Sequence, residues 1–584
     1  MQKICTQCQT DFEVTEADQL FLDKISPVFN GVKYSIPAPS LCFECRHRRR
    51  ITFRNDRNLY QRKCDGSGDM IISTYSPDKP FKVYGNRYWW SDAWDECSYG
   101  RDFDFSRSFS EQFRELQLVV PRLSMMNDDG VQSTNCQYCQ DFAYGKNCYL
   151  VFGSWQIEDS LYSEHVEKCK DIVDCLLMFE NSELAYECIN CSSVYQSAFL
   201  ENCLGSSDCF FGYDLVGCRN CFGCVGLRQK EHHIFNQPYS KEEYLEKMKS
   251  FDMGSYAALE NMKIQFSEFL QKLPRKEHYN RNCENSSGNY LLNSKDSTGF
   301  EFANAEDARY CVRGATYRNC MDMYQSGLAQ WSYNCVTCDE GYMNMSSLYC
   351  WKGKSNLYSD TCQSCENVFG CISMKKKKYC ILNKQYSKEE YENLVPKIIE
   401  HMGGAFIVDR LSNQGSNSND MNDKRQTINA SEWGEFFPSS ISPFAYNETL
   451  ASDYFPLTKE ECELKGFEWA NTSTAETQNL ASVFPVPDKI SQVGDDISKE
   501  MLVCQKTGKK YKILPQELAF YRKMNLPVPR LAPSVRHLNR IAKMNPRKLW
   551  DRQCAKCSKE MKTSYAPERS EIVYCEECYL KEMY

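Results

Sequence analysis

Cysteine pairs with the spacing CxxC stand near both ends of the chain, and metal binding is their natural chemistry. A CxxC pair lets two sulfurs reach one ion from a single turn, and four thiolates complete the tetrahedral shell that zinc prefers. Because a closed shell of four thiolates has no open position, the sequence predicts two structural zinc ions. The eight ligands are Cys5, Cys8, Cys42 and Cys45 near the start and Cys554, Cys557, Cys575 and Cys578 near the end.

The residues around the first set resemble a zinc-ribbon family. The family pattern is CxxC-x-x-x-F, then Q-x-F, then P-x-x-C-x-x-C-R, and the matching residues are Cys5, Cys8, Phe12, Gln19, Phe21, Pro39, Cys42, Cys45 and Arg46. The resemblance covers about 50 residues and implies a small zinc-stabilised module of zinc-ribbon or treble-clef type without catalysis. The whole chain is similar to a family of uncharacterised bacterial proteins with such modules around a cysteine-rich middle, which implies this architecture but no activity.

A degraded copy of the first module lies near the other end of the chain. Cys5 corresponds to Cys504 at an offset of 499, and IPAPSLCFECRH from Ile36 corresponds to LPVPRLAPSVRH from Leu526 at an offset of 490. Only one thiol remains in this copy, and one thiolate does not hold structural zinc. We predict that the copy keeps its fold without metal and fills the metal position with apolar side chains.

The middle region, residues 136 to 380, contains 22 cysteines and is built twice at an offset of 147. The cysteines fall on lattices of three, from Cys188 to Cys224 and from Cys311 to Cys380, while those from Cys136 to Cys175 share a phase one step off. Neither the 3.6-residue period of an α-helix nor the two-residue period of a strand produces such a lattice. The lattice predicts a β-solenoid in which small residues stack in successive coils. The cysteine recurrences allow a coil length of 21, as from Cys148 to Cys169, or of 18, as from Cys191 to Cys209.

Three interpretations of the middle cysteines remain open at this point. We favour a ladder of small, buried, reduced thiols. The internal CxxC pairs, such as Cys335/Cys338, also allow further zinc ions or iron–sulfur clusters, which would make this a multi-metal or redox-sensing protein. Disulfides are the third interpretation, and the N-terminal sequence, which lacks an apolar signal core, argues against them.

Composition and local signals set the expected compartment and organisation. The net charge is −8 over 584 residues, and without an apolar run of bilayer length we expect a soluble, cytoplasmic protein. Ser240-Lys-Glu-Glu243 and Ser387-Lys-Glu-Glu390 fit the capping box of a helix, so we predict a helix that caps each solenoid half. The fold class expected is therefore mainly β with α: two tandem β-solenoid halves with helical caps, and zinc modules at both ends.

The predicted segments follow one another along the chain. They are a zinc module with a basic helix at 1–62, an aromatic-rich cap at 63–130, solenoid copies at 131–238 and 278–385, helical caps at 239–277 and 386–402, a flexible linker at 403–431, a wrapping arm at 432–500, the metal-free module copy at 501–545 and a zinc ribbon at 546–584.

Basic residues follow the second CxxC pair of the first module and recur in its degraded copy. On an exposed helix face they would form a phosphate-binding surface; the alternative is a solvated face or pairing with acids elsewhere in the chain. The candidates for nucleic-acid contact are Arg46, Arg48, Arg49, Arg50, Arg54, Arg57, Arg536, Arg540, Arg547 and Lys548.

Two classes of function follow from these observations, besides the metal or redox interpretation. The leading hypothesis is a non-enzymatic, zinc-stabilised scaffold that engages a protein, a nucleic acid or a ribonucleoprotein. The alternative is a solenoid enzyme that acts on a sugar or a nucleotide, with Asp171, Asp174, His232 and His233 as its acids and bases. No spacing among these four residues is diagnostic of catalysis.

Overall fold

The computed structural model confirms a mainly β chain with solenoid halves, helices and a cysteine cluster near each terminus. It describes residues 1–127, 133–325, 329–337, 340–404, 431–471 and 484–583. The linker predicted at 403–431 lies almost wholly outside these residues, as does Cys338. The chain divides into unit 1, which is Met1–Met125, Asn282–Ser287 and Leu291–Trp469, and unit 2, which is Met126–Arg281, Gly288–Tyr290 and Ala470–Tyr584.

Solenoid 1, the first repeat half, belongs to unit 2 and forms an 11-stranded sheet. Its neighbouring strands pair in parallel until a final antiparallel hairpin. The strands are Gln140–Ala143, Phe152–Glu158, Glu164–Val173, Leu176–Phe179, Glu183–Tyr186, Ile189–Ser192, Tyr195–Glu201, Phe210–Tyr213, Arg219–Phe222, Glu231–Ile234 and Gln237–Pro238.

The coil of solenoid 1 is 12 residues long, which is the separation of side chains that bond from one coil to the next. Phe152 pairs with Gln140 in the preceding coil and with Glu164 in the following one. Both predicted coil lengths, 21 and 18 residues, are therefore wrong. Cysteines occupy several walls of one coil, so the distance between two of them is a multiple of three residues but need not be a whole coil. One coil is a residue longer, since Leu176 pairs with Ile189, and this extra residue explains why the cysteine lattice changes phase within the first half.

The triplet lattice has a backbone cause. Every third residue from Asn135 to Glu180, and again from Asn181 to Phe235, has φ between 46° and 71°. A left-handed residue between extended ones bends the chain, and four such bends complete one coil. The residue after each bend faces the interior, which is the place where the cysteines lie.

The interior positions of solenoid 1 favour Cys and Ser for a reason beyond size. The Cys203 thiol donates to the carbonyl oxygen of Glu201 at 3.4 Å and accepts from the amide of Leu215 at 3.4 Å. Ser206, one triplet later, donates to the carbonyl oxygen of Leu204 at 3.1 Å. Thiol and hydroxyl thus satisfy backbone groups that the bends turn inward, where an unpaired polar group is costly.

Solenoid 2, the second repeat half, belongs to unit 1 and follows the same pattern. Its first coils have 11 residues, as the bridge between Glu284 and Lys295 shows, and later ones have 12, as between Lys354 and Glu366. Its strands are Ser287–Leu292, Thr298–Ala303, Glu306–Ala315, Arg318–Met321, Lys354–Leu357, Glu366–Phe369, Lys378–Ile381 and Lys384–Gln385.

Helices follow both solenoids where the capping boxes predict them. The Ser240 hydroxyl accepts from the amide of Glu243 at the start of Lys241–Met248, and Ser387 does the same for Lys388–Gly403. Tyr244 and its counterpart Tyr391 are buried against the last coils. Among the helices that the structure describes, none combines the length and the apolar composition that crossing a bilayer requires.

The remainder of unit 1 consists of short hairpins and helices. Module A, residues 1–54, and module B, residues 60–90, precede a longer helix and the arm. The elements are strands Gln2–Ile4, Asp11–Glu13, Val28–Phe29, Val32–Lys33, Tyr60–Lys63, Met70–Ser73, Val83–Tyr84 and Arg122–Leu123, and helices Glu16–Ile25, Phe43–Ile51, Asn86–Trp89, Phe109–Val119, Leu450–Tyr454 and Lys459–Leu464.

The remainder of unit 2 has corresponding parts. Module A′, residues 502–543, and module B′, residues 550–583, stand at the end of the chain. The elements are helices Tyr256–Gln271, Pro515–Met524, Pro533–Lys543 and Glu576–Met583, and strands Arg275–Lys276, Leu502–Val503, Lys510–Tyr511, Trp550–Gln553, Glu560–Thr563 and Val573–Tyr574.

Candidate metal centres

The structure brings together the eight cysteines that the sequence predicts as ligands. In each set of four, all sulfur atoms lie within 4.8 Å of one another. Cys8 and Cys42 in module A have sulfurs 3.7 Å apart, and so do Cys557 and Cys575 in module B′. A tetrahedral ion with zinc–sulfur bonds of about 2.3 Å would hold its sulfurs about 3.8 Å apart. Both sets therefore fit a tetrahedral thiolate-bound metal.

A turn and a helix position the ligands of module A. The amide of Gln9 donates to the carbonyl oxygen of Cys5 at 2.9 Å, and Gln9 has φ of 61°, so the CxxC turn closes tightly. Cys42 is the N-cap of the helix Phe43–Ile51, and Cys45 lies in its first turn. The helix thus carries one pair of thiols towards the pair on the turn.

Module B′ uses the same devices. The amide of Ser558 donates to the carbonyl oxygen of Cys554 at 2.9 Å, with φ of 59° at Ser558. The amide of Cys575 donates to the Cys554 sulfur at 3.3 Å. Although burial opposes it, such backbone donors lower the pKa of Cys554 to about 6, and in module A the Cys45 thiol lowers the pKa of Cys42 to about 4. Each set thus contains a ready thiolate, the form that binds metal.

Module A′ keeps the fold of module A, and its metal position is apolar. Ala532 and Val535 replace two ligands, and both are buried in one hydrophobic cluster with Cys504 and Tyr511. This is the filling that the sequence predicts for the degraded copy.

Module B is a second degraded copy that the sequence analysis missed. Its strands match those of module B′ at an offset of 490, and Cys64 corresponds to Cys554. The amide of Gly85 donates to the Cys64 sulfur at 3.3 Å, as the amide of Cys575 does in module B′. Tyr88 occupies the place of the fourth ligand, and its ring would lie 2.3 Å from a Cβ added to Gly66. The signal was present in the sequence, because the offset of 490 found at Ile36 continues through this segment.

Each unit therefore contains one intact and one degraded module of complementary kinds. Modules A and B belong to unit 1, with the intact set in A; modules A′ and B′ belong to unit 2, with the intact set in B′. The strand Arg122–Leu123 pairs with Val83–Tyr84 of module B, and Arg275–Lys276 pairs in the same register with Val573–Tyr574 of module B′. The helices before these strands correspond at an offset of 153, with Pro-Arg at the end of both.

The basic helix of module A is buried against solenoid 2. Arg46 is 3% exposed, and its Nε and Nη2 donate to the Asp322 carboxylate. Arg50 Nη1 lies 3.5 Å from the same carboxylate. The guanidinium of Arg46 also lies 5.3 Å from the ring centroid of Tyr310, whose hydroxyl donates to Asp18 at 2.9 Å. We call these five residues the clamp of unit 1.

The basic helix of module A′ repeats the arrangement on solenoid 1. Arg536 Nε and Arg540 Nη1 lie 3.2 Å and 2.7 Å from the Asp174 carboxylate. The guanidinium of Arg536 lies 5.1 Å from the ring centroid of Tyr162, whose hydroxyl donates to Glu517 at 3.1 Å. We call these five residues the clamp of unit 2. Burial raises the pKa of Glu517 against the opposing effect of Arg536.

The two clamps are equivalent position by position. The arginines correspond at the offset of 490, whereas the two aspartates stand at an offset of 148. The later coils correspond at 147, and the extra residue between Asp174 and Ile189 accounts for the difference. Both aspartates occupy left-handed bends, with φ of 57° at Asp174 and 63° at Asp322.

Most of the candidate nucleic-acid residues thus lie inside the protein. Arg54, beside Asp56 at 2.9 Å, and Arg547 are buried together with the four clamp arginines. Arg48, Arg49 and Arg57 are half-buried, and Lys548 is exposed. The structure does not assemble these ten side chains into one exposed surface. At least five of them pair with acids inside the protein, which is the alternative that the sequence left open.

The candidate catalytic residues do not converge. Asp174 belongs to the clamp, and Asp171 pairs with Lys523 at 3.0 Å. Asp171 and His232 stand in one column five coils apart, which at about 4.8 Å per strand separates them by about 24 Å. His233 follows His232 at the same end of the solenoid, so no acid–base pair forms between the two ends.

The described interior thiols form a ladder and no further four-cysteine set. The two terminal sets are the only groups of three or more His, Cys, Asp or Glu ligands found close enough for a metal in the residues that the structure describes. Burial raises the pKa of Cys139 and of Cys169 to about 12, so both thiols are neutral. The ladder of reduced thiols is the arrangement seen.

No protein-family model matches the sequence, and no curated protein is significantly similar to it. The class of protein is therefore defined by the fold and the site alone. It is a β-solenoid protein whose coil consists of four triplets, with two four-cysteine sets that could hold metal ions.

Proposed function

We propose that the protein is a non-catalytic, zinc-stabilised binding scaffold of the reducing cytoplasm. One observation carries the proposal: the residue after the last cysteine of each set bonds an aspartate of the solenoid. Arg46 follows Cys45 and donates to Asp322, and Tyr579 follows Cys578 and donates to Asp214 at 2.7 Å. A bound ion would thereby fix the module and its contact with the solenoid together. Zinc is the ion proposed because its tetrahedral preference suits four thiolates.

Elemental analysis of the purified chain tests the proposal. We expect two zinc ions per chain, and one ion in either Cys45→Ser or Cys578→Ser. The matched control is Cys462→Ser, which changes a fully buried cysteine outside both sets and should leave two ions. A chain that keeps its near-UV circular dichroism after complete removal of metal would contradict the scaffold role, and so would iron or a clearly larger metal content.

A nucleic acid or ribonucleoprotein partner remains a narrower proposal. It rests on the basic residues beside the zinc modules that reach the surface, of which Lys548 is exposed and Arg57 and Arg48 are half-buried. Binding to a mixed RNA and DNA pool across a salt series tests it, because phosphate contacts weaken steeply with salt. Absence of binding at low salt removes the proposal without affecting the zinc sites.

A further inference from the structure

In unit 1, part of the chain fills a cleft between solenoid 2 and modules A and B. This part is the first segment of the predicted wrapping arm, residues 432–446, and the name arm is kept for this segment from here on. The ring of Phe437 stacks on Phe113 with centroids 4.7 Å apart, and Phe436 meets Phe53 edge-on at 5.5 Å. Phe436 and Phe437 are each 2% exposed. The arm is therefore an apolar occupant whose aromatic side chains complete the interior of unit 1.

Two further contacts fix the course of the arm. The amide of Gly434 donates to the hydroxyl of Tyr358 at 2.8 Å, on the wall of solenoid 2. Farther along, the ring of Phe444 stacks on Tyr75 of module B at 5.1 Å. The arm thus runs from the solenoid wall to module B, and four surrounding positions define its cleft.

In unit 2 the same positions line a cavity of about 450 Å³. The correspondence uses the offsets already established, which are 490 for the modules, 153 for the helix and 147 for the solenoid. All four counterparts line the cavity: Phe266 for Phe113, Lys543 for Phe53, Phe211 for Tyr358 and Tyr565 for Tyr75. A volume of this size lies within the usual range of ligand sites, about 300–1,000 Å³.

A buried arginine at this cavity has lost the acid that its counterpart pairs with. In unit 1 the Arg122 guanidinium lies 2.9 Å from Asp360. In unit 2 Arg275 corresponds to Arg122, whereas Tyr213 stands in the place of Asp360. Arg275 is 6% exposed, lies 4.8 Å from the Tyr213 ring centroid, and donates to the carbonyl oxygens of Leu270 and Leu273, at and just after the end of the preceding helix. Its side chain forms no ion pair with any residue that the structure describes. Glu571 of the same lining acts on it from a distance: burial opposes the ionisation of Glu571, whereas Arg569, to which it is bound, and Arg275 lower its pKa.

Most of the other lining cations have a carboxylate partner. Arg536 and Arg540 pair with Asp174, and Arg569 pairs with Glu571. Lys543 Nζ lies 3.1 Å from Glu201, and Lys263 Nζ lies 2.9 Å from Glu260. Arg530 also lacks an ion pair among the described residues, but it is less buried and its guanidinium lies 4.1 Å from the ring centroid of Tyr256. Arg275 is thus the most buried lining cation without an ion pair and the one best placed to bind a carboxylate of an occupant. Because buried charges are generally paired and Arg275 forms no ion pair of its own, Arg275 favours an anionic group on an occupant.

We propose that this cleft of unit 2 binds an extended peptide segment of a partner protein. An acidic side chain of the segment pairs with Arg275, and an apolar or aromatic side chain packs on Phe211 and Phe266. The arm of unit 1 is the internal precedent for such an occupant. The proposal names a partner class for the scaffold and rests on that role, but its residues are distinct from the metal ligands.

Selection of a phage-displayed library of random dodecapeptides on the full, zinc-loaded chain tests the site. We expect enriched sequences that combine Asp or Glu with an aromatic residue. A labelled synthetic peptide of this kind should lose about tenfold or more in affinity in Arg275→Gln, since a hydrogen bond to a charged group contributes about 1.5–3 kcal/mol. Ala542→Trp, which adds bulk at a lining position of the same cavity, should lower the affinity similarly without touching Arg275.

The matched control is Lys249→Ala, on an exposed side chain of unit 2 outside the cavity, and it should bind like the wild type. Peptides that bind both cleft variants with unchanged affinity would overturn the proposal. If no peptide is enriched on a chain that holds two zinc ions and has native circular dichroism, the cleft proposal is also overturned. In that case the metal content shows that the peptide site has failed while the zinc-stabilised scaffold has not. A single-stranded oligonucleotide that occupies the cleft in preference to the peptides would also overturn the cleft proposal.

Discussion

Arg540 donates to the carboxylate of Asp174 over 2.7 Å, and each of these side chains is at most 3% exposed. Asp174 also faces Arg536, which pairs with Glu517 at 3.1 Å as well, so two carboxylates face two guanidinium groups at the boundary between a helix and a solenoid wall. The equivalent clamp in unit 1 indicates that this contact either existed before the two halves diverged or arose separately in each half. Arginine-rich helices in this protein are consequently docking elements.

Replacing the clamp aspartate should strongly destabilise unit 2. Asp174→Asn keeps the side-chain shape and the left-handed bend, which asparagine also tolerates. It leaves Arg540 buried without its counter-charge and Arg536 with Glu517 alone. Breaking a buried pair by removing one partner costs about 3–5 kcal/mol. We expect a loss of this size in the free energy of unfolding, measured by urea denaturation with a probe in unit 2.

The control lies one triplet earlier on the same coil. Asp171 also occupies a left-handed bend, but its ion pair with Lys523 is partly exposed. Exposed pairs contribute about 0–1 kcal/mol, so Asp171→Asn should be nearly neutral. Equal effects of the two substitutions would show that the bend, and not the buried charge, explains the result.

The contact between the arm and module A should depend on pH. Glu435 Oε2 accepts from Arg49 at 2.6 Å and Oε1 from the amide of Ser40 at 2.8 Å. Burial opposes ionisation, yet Arg49 and the Ser40 amide hold the pKa of Glu435 below its usual value. A carboxyl with a depressed pKa in the folded state stabilises above its unfolded pKa, about 4.3, and loses this contribution as the pH falls through the folded pKa.

We therefore expect Glu435→Gln to lower the free energy of unfolding of unit 1 by about 1–3 kcal/mol at pH 7. The difference from the wild type should shrink as the pH falls from about 5 towards 3. Denaturant unfolding at a series of pH values measures it, with Glu463→Gln at an exposed side chain as the control. A difference that is constant over this range would contradict the ionised role of Glu435.

Thiol chemistry distinguishes the ladder from reactive or metal-bound alternatives. Outside the two four-cysteine sets, Cys97, Cys136 and Cys283 are half-buried, and every other described cysteine is buried. With both metals bound, we expect about three thiols to react quickly with an aromatic disulfide reagent and the others only on unfolding. Fast reaction of many thiols in the zinc-loaded chain would contradict a closed interior.

The sequence predicted the solenoid but not its coil, and the reason is physical. The bend recurs at every third residue, and any of the four inward positions of a coil accepts Cys or Ser, so the cysteines report the triplet alone. Another pattern in the sequence does give the coil length, since Asn135, Asn147, Asp159 and Asp171 recur at the spacing of one coil. In the structure these residues form a column, in which Asn135 donates to Asn147 at 3.0 Å.

The metal ligands were predictable because their chemistry requires one residue type at fixed spacing. The clamps were not, since an arginine that pairs with an acid hundreds of residues away looks the same in sequence as one that faces solvent. Module B was missed because three of its four ligand positions are Ser67, Gly85 and Tyr88, which carry no metal signal. Its recognition required the offset of 490 and not the motif.

The degraded module B offers a direct test of how the metal sites are built. Its turn is intact, since the amide of Cys64 donates to the carbonyl oxygen of Asp69 at 2.8 Å, as Cys554 does to Lys559 at 2.9 Å in module B′. The triple substitution Ser67→Cys, Gly85→Cys and Tyr88→Cys restores the four ligands and removes the ring that lies against Gly66.

We expect this variant to bind three zinc ions per chain instead of two, because structural zinc sites depend on the ligand set and a backbone that presents it. The control adds Cys64→Ser to the three substitutions and should return the content to two ions, since a fourth thiolate is then missing. A Cβ at Gly85 approaches Ile71 Cγ2 to 2.9 Å, so Ile71→Ala in the same background, which removes that methyl group, relieves the contact. If neither background binds a third ion, the preserved turn is insufficient, and the placement of the helix that carries the second cysteine pair decides metal binding.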